Sequence, residues 1–146
     1  MNDRHQYEVN LLWESERKGT LSSPVLPTQI EVASPPDFDK GIAGIWSPEH
    51  LFVASVSSCL MTTFFAIAEN SKLEYLKFDC NATGIVDKVE GQYTVSEIIL
   101  KPRLVIPSTQ HIDRAKRILE MSEKACLISN SVKTKITLEP TVLFPD

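Results

Sequence analysis

Residues 47–70, SPEHLFVASVSSCLMTTFFAIAEN, form a long apolar stretch that opens with a helix start and contains no helix breaker after it. Ser47 offers a capping hydroxyl, and Pro48 brings a ring whose missing N–H is harmless in a first helical turn. A helix is therefore expected from Pro48 to about Asn70. Ala54, Ser55, Ser57, Ser58, Ala66 and Ala68 are interleaved with Leu51, Phe52, Val53, Val56, Leu60, Phe64, Phe65 and Ile67, so nearly every face can pack and the helix should be central. The run from Leu51 to Ala68 is interrupted by Ser55, Ser57, Ser58, Thr62 and Thr63, which suits a buried helix rather than a membrane span.

Upstream, Tyr7, Val9, Leu11 and Trp13 alternate with Glu8, Asn10 and Leu12, a period-two pattern that predicts a first strand with one apolar face. ESERKGT, residues 14–20, reads as a turn. Short apolar stretches at Leu21 and at Ile30 to Val32 predict further strands at a sheet edge, and the Pro- and Gly-punctuated residues 34–46 predict a loop. Downstream, Phe78 to Val86 and Tyr93 to Val105 read as two antiparallel strands joined through VEGQ, where Gly91 suits a tight hairpin. Ser108, after Pro107, is placed to cap a second helix, along which Ile112, Ala115, Leu119, Ser122 and Cys126 fall on one face. Val132, Thr134, Ile136 and Leu138 alternate with polar residues and predict a last strand before Pro140. Strands, helix, strands, helix, strand is not the regular alternation of a doubly wound sheet, so an α+β fold is expected.

With 146 residues there is room for one domain, 1–146, whose core a compact dimer can extend across two subunits. Apolar residues make up 42% and charged residues 23%, the balance of a packed globular chain. A net charge of −4 lacks the basic footprint of nucleic-acid binding. The opening MNDRHQYEVN has no apolar core of a signal peptide, so a cytoplasmic protein is expected. Three cysteines, Cys59, Cys80 and Cys126, are too few and too odd in number for a disulfide framework, which leaves free or redox-active thiols. There is no CxxC, no grouping of His5, His50 and His111 with ligand spacing, and no Gly-rich phosphate loop, so neither a metal nor a nucleotide cofactor is expected.

A cysteine within an apolar helix is ordinarily a small core residue. The words around two of these cysteines point further. SPEHLFVASVSSC, with Glu49 ten residues before Cys59, and the later CLISNSV, with Ser129 shortly after Cys126 and a final strand beyond, resemble the OsmC/Ohr family of organic-hydroperoxide-reducing proteins. The resemblance implies an α+β, OsmC-like domain of antiparallel sheets with a long central helix and a second helix, assembled as an intertwined homodimer. It implies a thiol-dependent peroxidase acting on organic hydroperoxides, and on hydrogen peroxide as a further substrate. Cys59 would be the peroxidatic thiol and Cys126 the resolving one, reset by an external dithiol such as a lipoyl or thioredoxin-like protein rather than by a cofactor. It also implies an arginine from the loop after the first strand, which falls on Arg17, held by the helix-start Glu49.

Physical chemistry sets conditions on those roles. A Cys59–Cys126 disulfide requires Cα atoms within about 7 Å, so the end of the second helix must lie across the middle of the first. A mid-helix thiol in apolar surroundings should have a raised pKa, which calls for a nearby cation, with Lys18 competing with Arg17. Ten residues of straight helix separate Glu49 from Cys59 by about 15 Å, so Glu49 serves Cys59 only if the helix breaks or, as the dimer favours, from another subunit. The competing readings are a non-enzymatic small-molecule-binding dimer of the same fold and an oxidant sensor without turnover. Cys80 reads as structural, His50 as a helix-surface residue, Trp13 and Trp46 as core or interface aromatics, and Phe52, Phe64 and Phe65 as core, with an apolar substrate entrance as their alternative role.

Overall fold

The computed structural model describes residues 3–146; Met1 and Asn2 of the polar opening lie outside the described residues. Two compact units divide within the long helix, one running up to Leu51 and the other from Phe52 to Asp146.

The first unit is an antiparallel meander of β1 (Asn10–Ser15), β2 (Lys18–Ser23) and β3 (Leu26–Ala33). The segment expected as one turn, ESERKGT, is mostly strand, and the reversal occupies only Glu16 and Arg17, with Glu16 at a φ of 48°. Two residues suffice because Trp13 Nε1 donates to Glu16 O at 3.0 Å and so closes the turn from the side chain. All six residues of β1, Leu11 and Trp13 of the expected apolar face among them, are exposed within the chain. Residues 34–46 form the expected loop, and Ala33 N–H donates to Trp46 O at 2.9 Å to bring the chain to the helix start. There Ser47, fully buried, accepts the His50 N–H at 3.1 Å while its hydroxyl lies 2.7 Å from His50 Nδ1, a reciprocal cap with His50 in the place usually taken by Glu or Gln.

Helix α1 spans Pro48–Asn70, as the sequence predicts, but it does not pack on every face. Its buried residues are Val56, Leu60, Phe64 and Ala68, one every four residues, while Ser58, Met61, Thr62 and Ala66 are exposed. It is the one described helix long and apolar enough to cross a membrane, yet this seam sits in the core of the second unit. β4 (Lys77–Val89) and β5 (Gln92–Val105) form the long hairpin, turning at Glu90 and Gly91 with φ of 49° and 81°, the two left-handed residues of a type I′ turn. Gly84 on β4 permits close approach beneath α1, because a Cβ there would meet Val53 Cγ2 at 2.5 Å.

Helix α2 (Ile112–Ala125) begins later than expected: Ser108 lies in a turn, and His111 occupies the N-cap without a side-chain cap bond. After α2 the chain adds β6 (Lys135–Leu138) and β7 (Thr141–Leu143), both parallel to β5. The second sheet is therefore mixed rather than antiparallel, because a strand that returns through a helical crossover comes back in the direction of the strand it left. Pro140, expected to end the last strand, only divides β6 from β7.

Two apolar clusters share α1. Val56 and Leu60 pack with Ile98 and Leu100 of β5, while Phe64 and Ala68 pack with Leu104, Ile106, Val142 and Ala115, Ile118 and Leu119 of α2. Phe64 also stacks on Phe78 with ring centroids 5.3 Å apart. Phe64→Ala is expected to lower stability by about 3–5 kcal/mol in denaturant unfolding, the cost of removing a fully buried ring, whereas half-buried Phe65→Ala should cost less.

Candidate active site: two thiols and a helix-ending turn

Cys59 lies midway along α1, and Cys126 is the C-cap residue of α2. On α2 the buried stripe Ala115, Ile118, Leu119 and Ser122 leads directly to Cys126, which is itself fully buried. Each thiol shifts the acidity of the other, Cys126 drawing Cys59 down and Cys59 driving Cys126 up. Both cysteines are free thiols.

The backbone after Cys126 defines the environment of this pair. Cys126 leaves helical geometry with φ −66° and ψ 121°, Ile128 returns to it with φ −67° and ψ −45°, and Ser129–Ser131 make a short 3-10 turn. The turn's carbonyls are occupied: Asn130 N–H donates to Cys126 O at 3.0 Å, Ser131 N–H to Ile128 O at 2.9 Å, and Ser131 Oγ to Leu127 O at 2.8 Å. The Ile128 and Leu127 backbone groups act electrostatically on Cys59, and the Ser129 backbone on Cys126. From its own helix, one turn on, Thr63 Oγ1 lies 3.9 Å from Cys59 Sγ.

These donors change the expected acidity. Burial pushes the Cys59 thiol up, as anticipated, but the bonds from Cys126, the Ile128 amide, the Thr63 hydroxyl and the Leu127 amide outweigh it and hold Cys59 below the ordinary thiol value. The expectation that burial alone sets the Cys59 acidity is thus corrected: neighbouring uncharged hydrogen-bonding groups favour the thiolate. Cys126 moves the other way. Burial raises it, the neighbouring Cys59 raises it further, and the Ser129 backbone only partly offsets this, while Ser129 Oγ is buried without a hydrogen-bond partner. Two like groups with acidities pushed apart are the arrangement expected of a nucleophile and a proton-bearing partner.

Arg17 occupies the β1–β2 turn and Glu49 the first turn of α1, both in the unit that ends at Leu51. Lys18, the competing cation, forms an ion pair with Glu31 at 3.5 Å. Cys80 sits on β4 opposite Pro102 and packs against the Val56–Leu60 cluster, and burial pushes its thiol up. Among the described residues no group of three or more His, Cys, Asp and Glu side chains is placed to hold a metal ion. Thr63 and the Leu127–Ser129 amides were not identified from the sequence. The i, i+4 relation of Thr63 to Cys59 was available there, but an amide donor leaves no trace in residue type.

The chain is an α+β fold with one cysteine in the middle of its long helix and another closing the second helix. Residues 41–141 match the family model described as OsmC-like protein, and the chain belongs to that family. It is 27% identical over 144 residues to the uncharacterized protein YmaD of Bacillus subtilis, covering 95% of this chain and 93% of that one. In fold it is similar to an OsmC-like protein of unknown function from Vibrio cholerae, with a TM-score of 0.85 at 23% identity, covering 94% of this chain and 99% of that one. It is likewise similar to an organic hydroperoxide resistance protein from Elizabethkingia anophelis, with a TM-score of 0.78 at 21% identity, covering 99% and 100% of the two chains.

The local donors predict an order of reactivity that can be measured. Alkylation by iodoacetamide, followed by mass spectrometry across a pH series, should label Cys59 with a midpoint below that of an ordinary thiol and leave Cys80 and Cys126 labelled only at higher pH. Thr63→Val removes a donor to the thiolate, so the Cys59 midpoint should move up.

Proposed function

We propose that this protein is a thiol peroxidase that reduces hydroperoxides, organic ones above all. The observation that carries the reading is the Cys59–Cys126 pair itself, with the more acidic thiol partly open to solvent and the less acidic one buried against it. The Cys59 thiolate attacks the peroxide, releases an alcohol or water, and becomes a sulfenic acid. Cys126 then condenses with it to a disulfide. An external dithiol, of lipoyl or thioredoxin-like type, exchanges with the disulfide and restores both thiols. Family membership and a fold relative bearing the name organic hydroperoxide resistance protein support the same chemistry.

The working form is a homodimer. Leu11 and Trp13 of β1 are 67% and 72% exposed in the single chain, an apolar surface that a second copy would cover. Within one chain, α1 runs unbroken between Glu49 and Cys59, a separation of about 15 Å along the axis. Arg17 and Glu49 therefore act on the Cys59 of a second copy, adding a guanidinium to a thiolate that the Leu127–Ile128 amides already favour.

Stoichiometric alkyl hydroperoxide should produce a Cys59–Cys126 disulfide, mapped by mass spectrometry, and Cys59→Ser should abolish turnover with dithiol. Arg17→Ala should lower kcat/KM by about tenfold or more, the weight of one charge-assisted contact of about 1.5–3 kcal/mol. Slow thiols and no disulfide, together with a rise in Tm on adding an apolar ligand, would replace the peroxidase with a binding protein. Stoichiometric oxidation without sustained peroxide consumption would make it a sensor.

A further inference from the structure

We infer that Thr63 aligns the hydroperoxide for attack by Cys59, its hydroxyl oxygen accepting the O–H of the peroxide's terminal oxygen. The inference rests on the peroxidase reading and gives Thr63 a contact with substrate beyond its effect on the acidity of Cys59.

The side-chain hydroxyls of α1 divide by where they point. Ser55 Oγ donates to Phe52 O at 2.7 Å, Ser57 and Ser58 donate to Ala54 O at 3.1 and 2.7 Å, and Thr62 donates to Cys59 O at 3.2 Å. Bonding back to a carbonyl of the preceding turn is the ordinary arrangement for Ser and Thr inside a helix. Thr63 is the exception among the described hydroxyls of α1: its Oγ1 faces Cys59 Sγ at 3.9 Å. Its neighbour supplies the reason. The carbonyl four residues before Thr63 is Cys59 O, which holds a helical N–H on one lone pair and the Thr62 hydroxyl on the other. Cys59 and Thr63 stand on one face of the helix and both are partly exposed, so a thiol and an uncommitted hydroxyl reach solvent side by side.

A thiolate has no proton to give, so once Cys59 ionises the Thr63 O–H donates in that contact and its oxygen keeps a lone pair for substrate. An alkyl hydroperoxide, ROOH, carries its O–H on the terminal oxygen, the atom that a thiolate attacks. Accepted by Thr63 Oγ1 at about 2.8 Å, that O–H holds the terminal oxygen about 3–3.5 Å from Cys59 Sγ, the range of a near-attack contact, because a hydroxyl 3.9 Å from the sulfur spans both. Attack forms the S–O bond and breaks the O–O bond, whose electron pair departs on RO⁻; this takes a proton from water and leaves as ROH. The terminal oxygen keeps its own proton and becomes the hydroxyl of the sulfenic acid, still held by Thr63, which neither gains nor loses a proton. Cys59 is oxidised by two electrons and the peroxide is reduced by two.

The test compares two reagents for the same thiolate. tert-Butyl hydroperoxide brings an O–H on the attacked atom, whereas iodoacetamide is attacked at a carbon that carries none. Rates of modification of Cys59 are read by quenching and peptide mass spectrometry in the wild-type protein, Thr63→Val and Thr63→Ser, each above its own Cys59 midpoint so that the thiolate is fully formed. In Thr63→Val the limiting rate with tert-butyl hydroperoxide should fall about tenfold, the weight of one hydrogen bond to substrate, while that with iodoacetamide changes by less than about twofold. Thr63→Ser, which keeps the hydroxyl, should recover most of the hydroperoxide rate. A change in nucleophilicity or packing would move both reagents together, so parallel changes overturn the aligning role. An undiminished hydroperoxide rate in Thr63→Val, or a Thr63→Ser rate no better than that of Thr63→Val, overturns it as well. If iodoacetamide labels wild-type Cys59 and tert-butyl hydroperoxide leaves it unoxidised, the peroxidase reading fails and the inference with it.

Discussion

The four-residue seam of Val56, Leu60, Phe64 and Ala68 along α1 is the contact on which the rest of this molecule depends. Its first half packs on Ile98 and Leu100 of β5, its second half on Ala115, Ile118 and Leu119 of α2. One helix is thus held by the sheet and by the second helix together. Close packing leaves little freedom to slide, since a shift of one turn would separate each knob from its hole. Cys59 precedes Leu60, so the same contacts that bury Leu60 hold Cys59 at the edge of the core and turn its sulfur toward the end of α2.

The end of α2 matters because a helix must stop somewhere, and its last groups need partners. Here the chain stops at Cys126 and folds into a short 3-10 turn in which Asn130 N–H donates to Cys126 O and Ser131 N–H to Ile128 O. Electrostatics follow from that local choice. A thiol surrounded by hydrocarbon resists ionisation, while one given several donors accepts it, and at Cys59 the donors outweigh the burial. Cys126 faces the same burial with fewer donors and a partner that draws on its proton, so the two thiols diverge. Two identical side chains are pushed to different acidities by position alone.

α1, the long hairpin and the last strands could be read from the sequence because their signals are local: a Ser-Pro start, a Gly at a tight turn, alternation along strands. The family was legible through words such as SPEHLFVASVSSC and CLISNSV. Other features were not. Ser108 has the chemistry of a cap, yet α2 begins at Ile112, because residues 107–110 close a turn in which Gln110 N–H donates to Pro107 O at 2.9 Å. The mixed sheet depends on a crossover between elements that no local window contains. The turn's amides are common to every residue type, so Leu127 and Ile128 carry no letter that marks them.

What the sequence determined by itself was the set of elements and the two thiols, since propensity, capping and periodicity act over a few residues. What only the tertiary structure decided was which thiol holds a proton and which gives one up. Acidity depends on the distances to donors contributed by Thr63, by Cys126 and by the turn after α2, and those distances come from how α1 and α2 pack, not from the order of residues along either helix.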